Sequence, residues 1–433
     1  MTHAHISSGT EQAWAAVGGD PALIPRIEYG DPAGLLPSRL PVMELARSTV
    51  AACALAAAER AGSPRVRVDD GAVATAFTSE RHLLVDGRKP VNFAPLSRFW
   101  RTADGWVRTH ANYPHHRAAL LAALGVPEEK VEAELAGRRA LEVEETVYAA
   151  GGLAVALRTP EEWAAHPQCV AVAERPLVVP ELLDEAPPKP RGERLKVLDL
   201  TRVIAGPVAT RTLGLLGADV LRIDAPQSPE LPDQHADTGF GKRSATLDLR
   251  RHADRRTFAD LLDAADVLVT GYRPGALDVY DLQRPGLVTA QLSAWGDYGP
   301  WRERRGFDSL VQVGTGIAEL EGSEGKPGAL PAQALDHGTG YLLAAAVLRA
   351  LTEQDAHGGT RRLRLSLART AHWLRELAPG AGASPDSYTP QLAETDSPLG
   401  RLRHAPSPVA YDGGPAGWSR PPGLLGADSP VWL

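Results

Sequence analysis

Residues 195–224 write a strand, a tight turn, a helix, a glycine and a second strand, and no other stretch of the chain constrains its fold as strongly. Residues 195–200 form a short apolar run of the kind found in strands buried on both faces. The turn Ala205-Gly206-Pro207 leads into a helical run over 208–216, and Gly217 is placed to cap it. Residues 218–223 make the second strand, which ends at Asp224. Strand, helix, strand in this order is a βαβ unit with parallel strands. The pattern continues, with helix over 258–264, strand over 267–269 and a further strand over 287–292. The expected class is α/β, a Rossmann-like doubly wound parallel sheet with a smaller α+β domain beside it.

That smaller domain is read from the half of the chain preceding residue 178. Residues 100–109 suggest a hairpin with Asp104-Gly105 as its turn. Helices are expected over 115–124, 128–135 and 142–150, and Pro160 opens another. Residues 178–194 are rich in proline and charge, a linker by composition. The expected organisation is an extension over 1–39, the small domain with a preceding helix–strand unit over 40–177, the linker over 178–194, the Rossmann-like domain over 195–377 and an extended tail over 378–433. Residues 44–77 and 338–373 also share an order of helix, glycine break, strand and helix, with alternating arginines in RVRVDD and RLRLSL.

Composition removes several functions. The net charge is −7 with no concentrated run of Lys and Arg, which excludes a nucleic-acid groove. No apolar run approaches the ~20 residues of a membrane helix, and no secretory signal pattern opens the chain; no membrane association and a cytoplasmic location are therefore expected. The two cysteines, Cys53 and Cys169, cannot build a zinc site alone and read as buried thiols. The histidines, including the adjacent His115 and His116, lack metal-ligand spacing and read as solvated loop residues. Asp224 stands where a dinucleotide enzyme binds ribose, but the preceding turn supplies one glycine where G-x-G-x-x-G needs three.

Five stretches in order carry a family resemblance: VLDLTRVIAGPVATRTLGLLGADVLRID, GKRSATLDLR, ADVLVTGYRPGALD, GFDSLVQVGTG and ALDHGTGYLLAAAVLRAL. They resemble the family III CoA-transferases, the group that holds formyl-CoA and carnitine CoA-transferases and the α-methylacyl-CoA racemases. WRTADGWVRTH and the helices after it look like that family's small domain, here placed first, so the halves look permuted or fused. The resemblance implies CoA transfer between an acyl-CoA thioester and a carboxylic acid, no cofactor beyond the substrates, and a homodimer.

By the same resemblance Asp336 is the nucleophile. A carboxylate suits the role because it needs no general base to ionise. Taken by itself, Asp336 reads better as the N-cap of a helix beginning near Gly338, and it is the surrounding PAQALDHGTG stretch that shifts the reading toward catalysis. The implied CoA contacts fall on Ile204, Ala205 and Ala225, on Leu247, Asp248, Leu249 and Arg250, on Gly271, Tyr272 and Arg273, on Val279, and on Arg305, Gly306, Phe307 and Asp308. Ile204 replaces a family glutamine, and Ala225 and Val279 replace arginines near the phosphates. Arg222, Arg250 and Arg273 are candidates to compensate, with Arg222 equally readable as surface charge. Phe307 occupies the place of the racemases' histidine and cannot exchange a proton, which argues against racemisation.

Overall fold

The computed structural model describes residues 8–31, 33–379 and 388–433. Its centre is a seven-stranded sheet. The strands are β1 Val179–Leu182, β2 Lys196–Leu200, β3 Asp219–Asp224, β4 Lys242–Thr246, β5 Val267–Thr270, β6 Val288–Ser293 and β7 Arg361–Ser366. They lie in the order β4-β3-β2-β5-β6-β7-β1, all parallel except the edge strand β1. From β2 the chain winds outward through β3 and β4, then returns to β5 and winds the other way. The strand order reverses between β2 and β5, and in such sheets the crevice beyond the strand ends at that point receives ligand.

Side-chain alternation sends the strands' apolar residues to two cores. Leu198, Leu200, Leu221, Ile223 and Leu268 pack beneath the helix His252–Ala264. Val197, Val220, Val267 and Val269 join the larger core on the opposite face. Its principal helices are α1 Val42–Ala61, α2 Ala205–Leu215, α3 Asp308–Gly314 and α4 Ala334–His357. Helix α4 is buried from Ala334 through Leu351, as a helix apolar on every side must be. Gly338 faces Leu45 of α1, and Gly340 lies so close to α2 that an added Cβ would stand 2.5 Å from the Ala205 carbonyl oxygen.

The internal repeat is visible as structure. Helix α1, Gly62 at φ 66°, the strand Val66–Val68 and the helix Asp70–Phe77 mirror α4, Gly358, β7 and the helix Leu367–Glu376. Asp69 and Ser366 each cap the helix that follows their strand. Counted from the helix starts at Val42 and Ala334, Glu44 and Asp336 are each the third residue of their helix. Each long helix thus carries a buried acid in its first turn.

Two readings from composition need amendment. The stretch taken as linker contains β1, whose Glu181 binds Arg362 and Arg364 of β7, and Pro180 is tolerated because the strand is an edge. The tail holds a hairpin, Ala393–Ser397 with Gly400–His404. It docks through Trp418, whose indole donates to the Arg211 carbonyl at 2.8 Å, and Trp432, which donates to that of Leu261 at 3.0 Å. In the small domain, the hairpin strands Phe99–Arg101 and Trp106–Thr109 pair, and Ala154–Ala156 adds a third strand.

Candidate active site

Two cavities meet beside the first turn of α4. The first, about 410 Å³, lies at the reversal between β2 and β5. Its floor comes from Arg202, Val203, Ala205 and Gly206 after β2, and from Gly271, Tyr272 and Arg273 after β5. The second, about 530 Å³, lies under the small domain and is lined by Phe93, His110, Ile204, Leu231, Gln234 and Ser309 among others. Tyr113, Val203, Phe307 and Asp336 line both.

Asp336 is 6% exposed, and among the described residues its carboxyl accepts no hydrogen bond. It does not cap its helix. The helix starts two residues earlier, at Ala334, and Gln333 in the cap position makes no side-chain bond. Asp308, at the start of α3, takes over that task. Its Oδ2 accepts the N–H of Leu335 at 2.9 Å and that of Asp336 at 3.0 Å, satisfying donors that a helix start leaves open. Burial pushes the Asp308 carboxyl up to about 6. Asp336 is raised well above the usual carboxylate range, first by burial, then by Asp308 and Glu80. Asp336 is therefore less readily ionised than residue type alone suggests.

The bridge between the two halves is a buried charge cluster. Tyr113 Oη donates to Glu230 Oε1 at 2.6 Å, and Val203 N–H donates to Glu230 Oε2 at 2.8 Å. Arg222 donates to Asp224 at 2.7 and 2.9 Å and to Glu230 at 3.2 Å. Arg222 is 0% exposed, so it is neither surface charge nor available to a phosphate. Val203 has φ 68°, a costly conformation for a β-branched residue, and Glu230 holds it there.

Most of the residues expected from the sequence do surround the first cavity: Ala205, Ala225, Asp248, Leu249, Arg250, Gly271, Tyr272, Arg273, Arg305, Gly306, Phe307 and Asp336. Four expected contacts lie elsewhere. Ile204 faces the second cavity, Leu247 is buried in the sheet core, and Asp308 is buried beneath the helix start. Val279 is 82% exposed and lines neither cavity. Arg250 is held by Asp248 at 2.8 Å. Arg273 and Arg305 pair with no acid among the described residues, and Arg273 depresses Arg305 after burial does. Two such neighbouring cations suit a polyanion.

Residues overlooked in the sequence include Tyr113, Arg202, Val203, Glu230 and Arg304. His116 is not a solvated loop residue. It is buried in the helix Pro114–Leu124, where burial pushes it down to about 3. The spacing of His116, Leu120 and Leu124 along one helical face was the available signal. Among the described residues no group of three or more His, Cys, Asp or Glu could hold a metal ion, and no helix is long and apolar enough to cross a membrane.

Residues 193–406, just under half of the chain, match the family model described as CoA-transferase family III. The acetyl-coenzyme A transferase nodX of Hypoxylon pulicicidum is 32% identical over 226 residues, covering 49% of this chain and 36% of that protein. The probable fatty acyl-CoA transferase Rv3272 of Mycobacterium tuberculosis is 33% identical over 193 residues, covering 40% of this chain and 49% of that protein. A crystal structure of Rv3272 aligns with TM-score 0.40 at 32% identity, over 43% of this chain and 57% of the other. The chain spans less than half the length of these two curated relatives.

Proposed function

Because residues 193–406 match the family model described as CoA-transferase family III, we propose that this protein moves coenzyme A from an acyl-CoA thioester to a carboxylic acid through a covalent intermediate on Asp336. The observation that carries the reading is the position of Asp336, a buried carboxyl without hydrogen-bond partners on the wall common to two cavities. An acid left unengaged in a buried site is costly to keep for structure alone.

In the reaction, one Asp336 oxygen attacks the thioester carbonyl carbon, the C–S bond breaks, and CoA leaves as thiolate from a mixed anhydride. The thiolate returns to the aspartyl carbonyl carbon, releasing the donor's acid as carboxylate and leaving CoA as an aspartyl thioester. An acceptor carboxylate then attacks that thioester and expels the thiolate again. Thiolate attack on the acceptor's acyl carbon completes transfer and frees Asp336. The first cavity, with Arg273 and Arg305 at its mouth, suits the phosphates of CoA. None of these four steps requires a metal or redox group, and we propose none.

Racemisation is disfavoured by the same geometry. Phe307 carries no exchangeable proton, and the imidazole stacked on it at 3.9 Å, His110, is pushed down to about 3 by burial. Such a group is a weak base at neutral pH. The homodimer implied by the resemblance is proposed as an association of two complete sites, because one chain lines both cavities. A monomeric mass by light scattering at micromolar concentration would overturn it. A cytoplasmic location is proposed with it.

Hydroxylamine tests the chemistry. It cleaves activated acyl groups on carboxylates, so it should inactivate the enzyme only after acyl-CoA is added, with the modification mapped to Asp336. Inactivation without acyl-CoA, or a CoA-exchanging Asp336→Ala variant, would overturn the mechanism.

A further inference from the structure

Resting on the CoA-transfer reading, we infer that the second cavity receives the acyl group and selects an uncharged, largely apolar one of several carbons over one ending in a second carboxylate. The thioester carbon must reach Asp336, which lines both cavities. With the CoA phosphates near Arg273 and Arg305 in the first cavity, the acyl group on the other side of the thioester enters the second.

The lining of that cavity sets its preference. Phe93, Ile204, Leu231, Pro232 and Phe307 supply apolar surface. Its carboxylates are Glu80, Asp233 and Asp336, and its sole cation among the described lining residues is Arg81. Arg81 lies 3.7 Å from Glu80 and is half exposed, so its charge is already engaged at the rim. Asp233 has its own partner, Arg88, at 2.6 Å. His110 is neutral, as burial holds it far below the ordinary histidine range. A second carboxylate on the acyl group would meet like charge without a free cation, and such juxtaposition is strongly unfavourable. The volume, about 530 Å³, lies within the range of pockets that enclose drug-sized ligands, far more than a one- or two-carbon acyl group needs.

The polar groups without partners in the second cavity fit the carbonyl end of such a ligand. Ser309 Oγ and His110 Nδ1 are buried with no hydrogen-bond partner, and Gln234 Nε2 is a third open group. Gln234 gives the test its handle, since a lysine there would place a cation in the cavity.

Calorimetry with free CoA, acetyl-CoA, hexanoyl-CoA and adipoyl-CoA separates the claims, because the last two match in length and differ in a terminal carboxylate. Hexanoyl-CoA should bind at least about tenfold more tightly than adipoyl-CoA, and more tightly than acetyl-CoA. Gln234→Lys should reduce the preference for hexanoyl-CoA while leaving affinity for free CoA within about twofold. Adipoyl-CoA binding as tightly as hexanoyl-CoA, with free CoA still bound, would overturn the acyl selectivity alone. Absence of binding by all four would overturn the CoA reading and this inference with it.

Discussion

Asp308 Oδ2 accepts the backbone N–H of Asp336 at 3.0 Å, so the acid that fixes the start of α4 also stands beside the acid that the helix presents. Burial raises Asp308 against the hydrogen bonds it accepts, whereas Asp336 is raised by burial first and then by the charges of Asp308 and Glu80. Asp308 is pushed to about 6 and Asp336 is raised well above its ordinary value.

The sign of the resulting pH dependence follows. In the proposed reaction attack requires ionised Asp336, so kcat/KM should fall as pH drops through a limb lying above the ordinary carboxylate range. Removing the neighbouring negative charge lowers the Asp336 pKa. Asp308→Asn keeps an oxygen to accept the two N–H groups and should move the acid limb to lower pH. A pH–rate profile of both proteins measures it, and an unmoved limb would show that Asp308 does not set the ionisation of Asp336. The same pair lowers stability as pH rises through the window between the unfolded value and about 6, since the folded state then binds more protons than the unfolded chain.

Arg273 and Arg305 carry the phosphate contacts in the proposed reaction, being neighbouring cations without acid partners among the described residues. Each Arg→Ala change should weaken CoA binding by about 1.5–3 kcal/mol, the worth of a hydrogen bond to a charged group. Val279, at 82% exposure, should tolerate alanine with no change in affinity. Titrations at low and high salt provide the check, because a phosphate contact loses its effect as salt screens it.

Tyr113→Phe tests the bridge between the small domain and the sheet. The change leaves Glu230 with Arg222 and two backbone N–H groups but without the 2.6 Å phenol bond. Stability should drop by about 1.5–3 kcal/mol. Because Glu230 also holds Val203 at positive φ between the two cavities, KM for acyl-CoA should rise along with that loss. A lowered melting temperature with unchanged KM would make Tyr113 a structural tie only.

The parallel sheet was legible in the sequence because its strands are short apolar runs separated by amphipathic helices, a local pattern. Asp336 was legible through its surrounding motif. Arg222 was not, although the signal existed: a strand buried on both faces can hold an arginine only if it is paired, and Asp224 lies two residues on, facing the same side. Glu230 and Tyr113 stand 117 residues apart, and no local pattern announces that they meet. The second cavity was equally hidden, because its walls come from the small domain, the loop after β2 and the start of α4. Helix α1 is another such case. Its repeat with α4 could be seen, but the position of Glu44 in the helix turn that matches the one holding Asp336 required the helix starts that the fold supplies.

Gly340 is the last test, and it concerns how α4 and α2 are brought together. An added Cβ would lie 2.5 Å from the Ala205 carbonyl oxygen and 2.9 Å from the Val208 Cβ, both on α2. The first of these is backbone, so relief requires the two helices to separate rather than a side chain to turn. Overpacking of this kind costs about 1–3 kcal/mol, against which the better helix propensity of alanine returns about 1 kcal/mol. The disturbance lands where it matters for function, since Ala205 and Gly206 line the first cavity and Asp336 stands one turn before Gly340 on α4. Gly340→Ala should therefore lower the melting temperature modestly and weaken CoA binding more than the stability loss alone explains. Gly105→Ala, at a hairpin turn with nothing within 4 Å of its added Cβ, is the matched control and should leave CoA binding unchanged. Equal affinities in the two variants would show that the close approach of α2 and α4 serves packing and not the site.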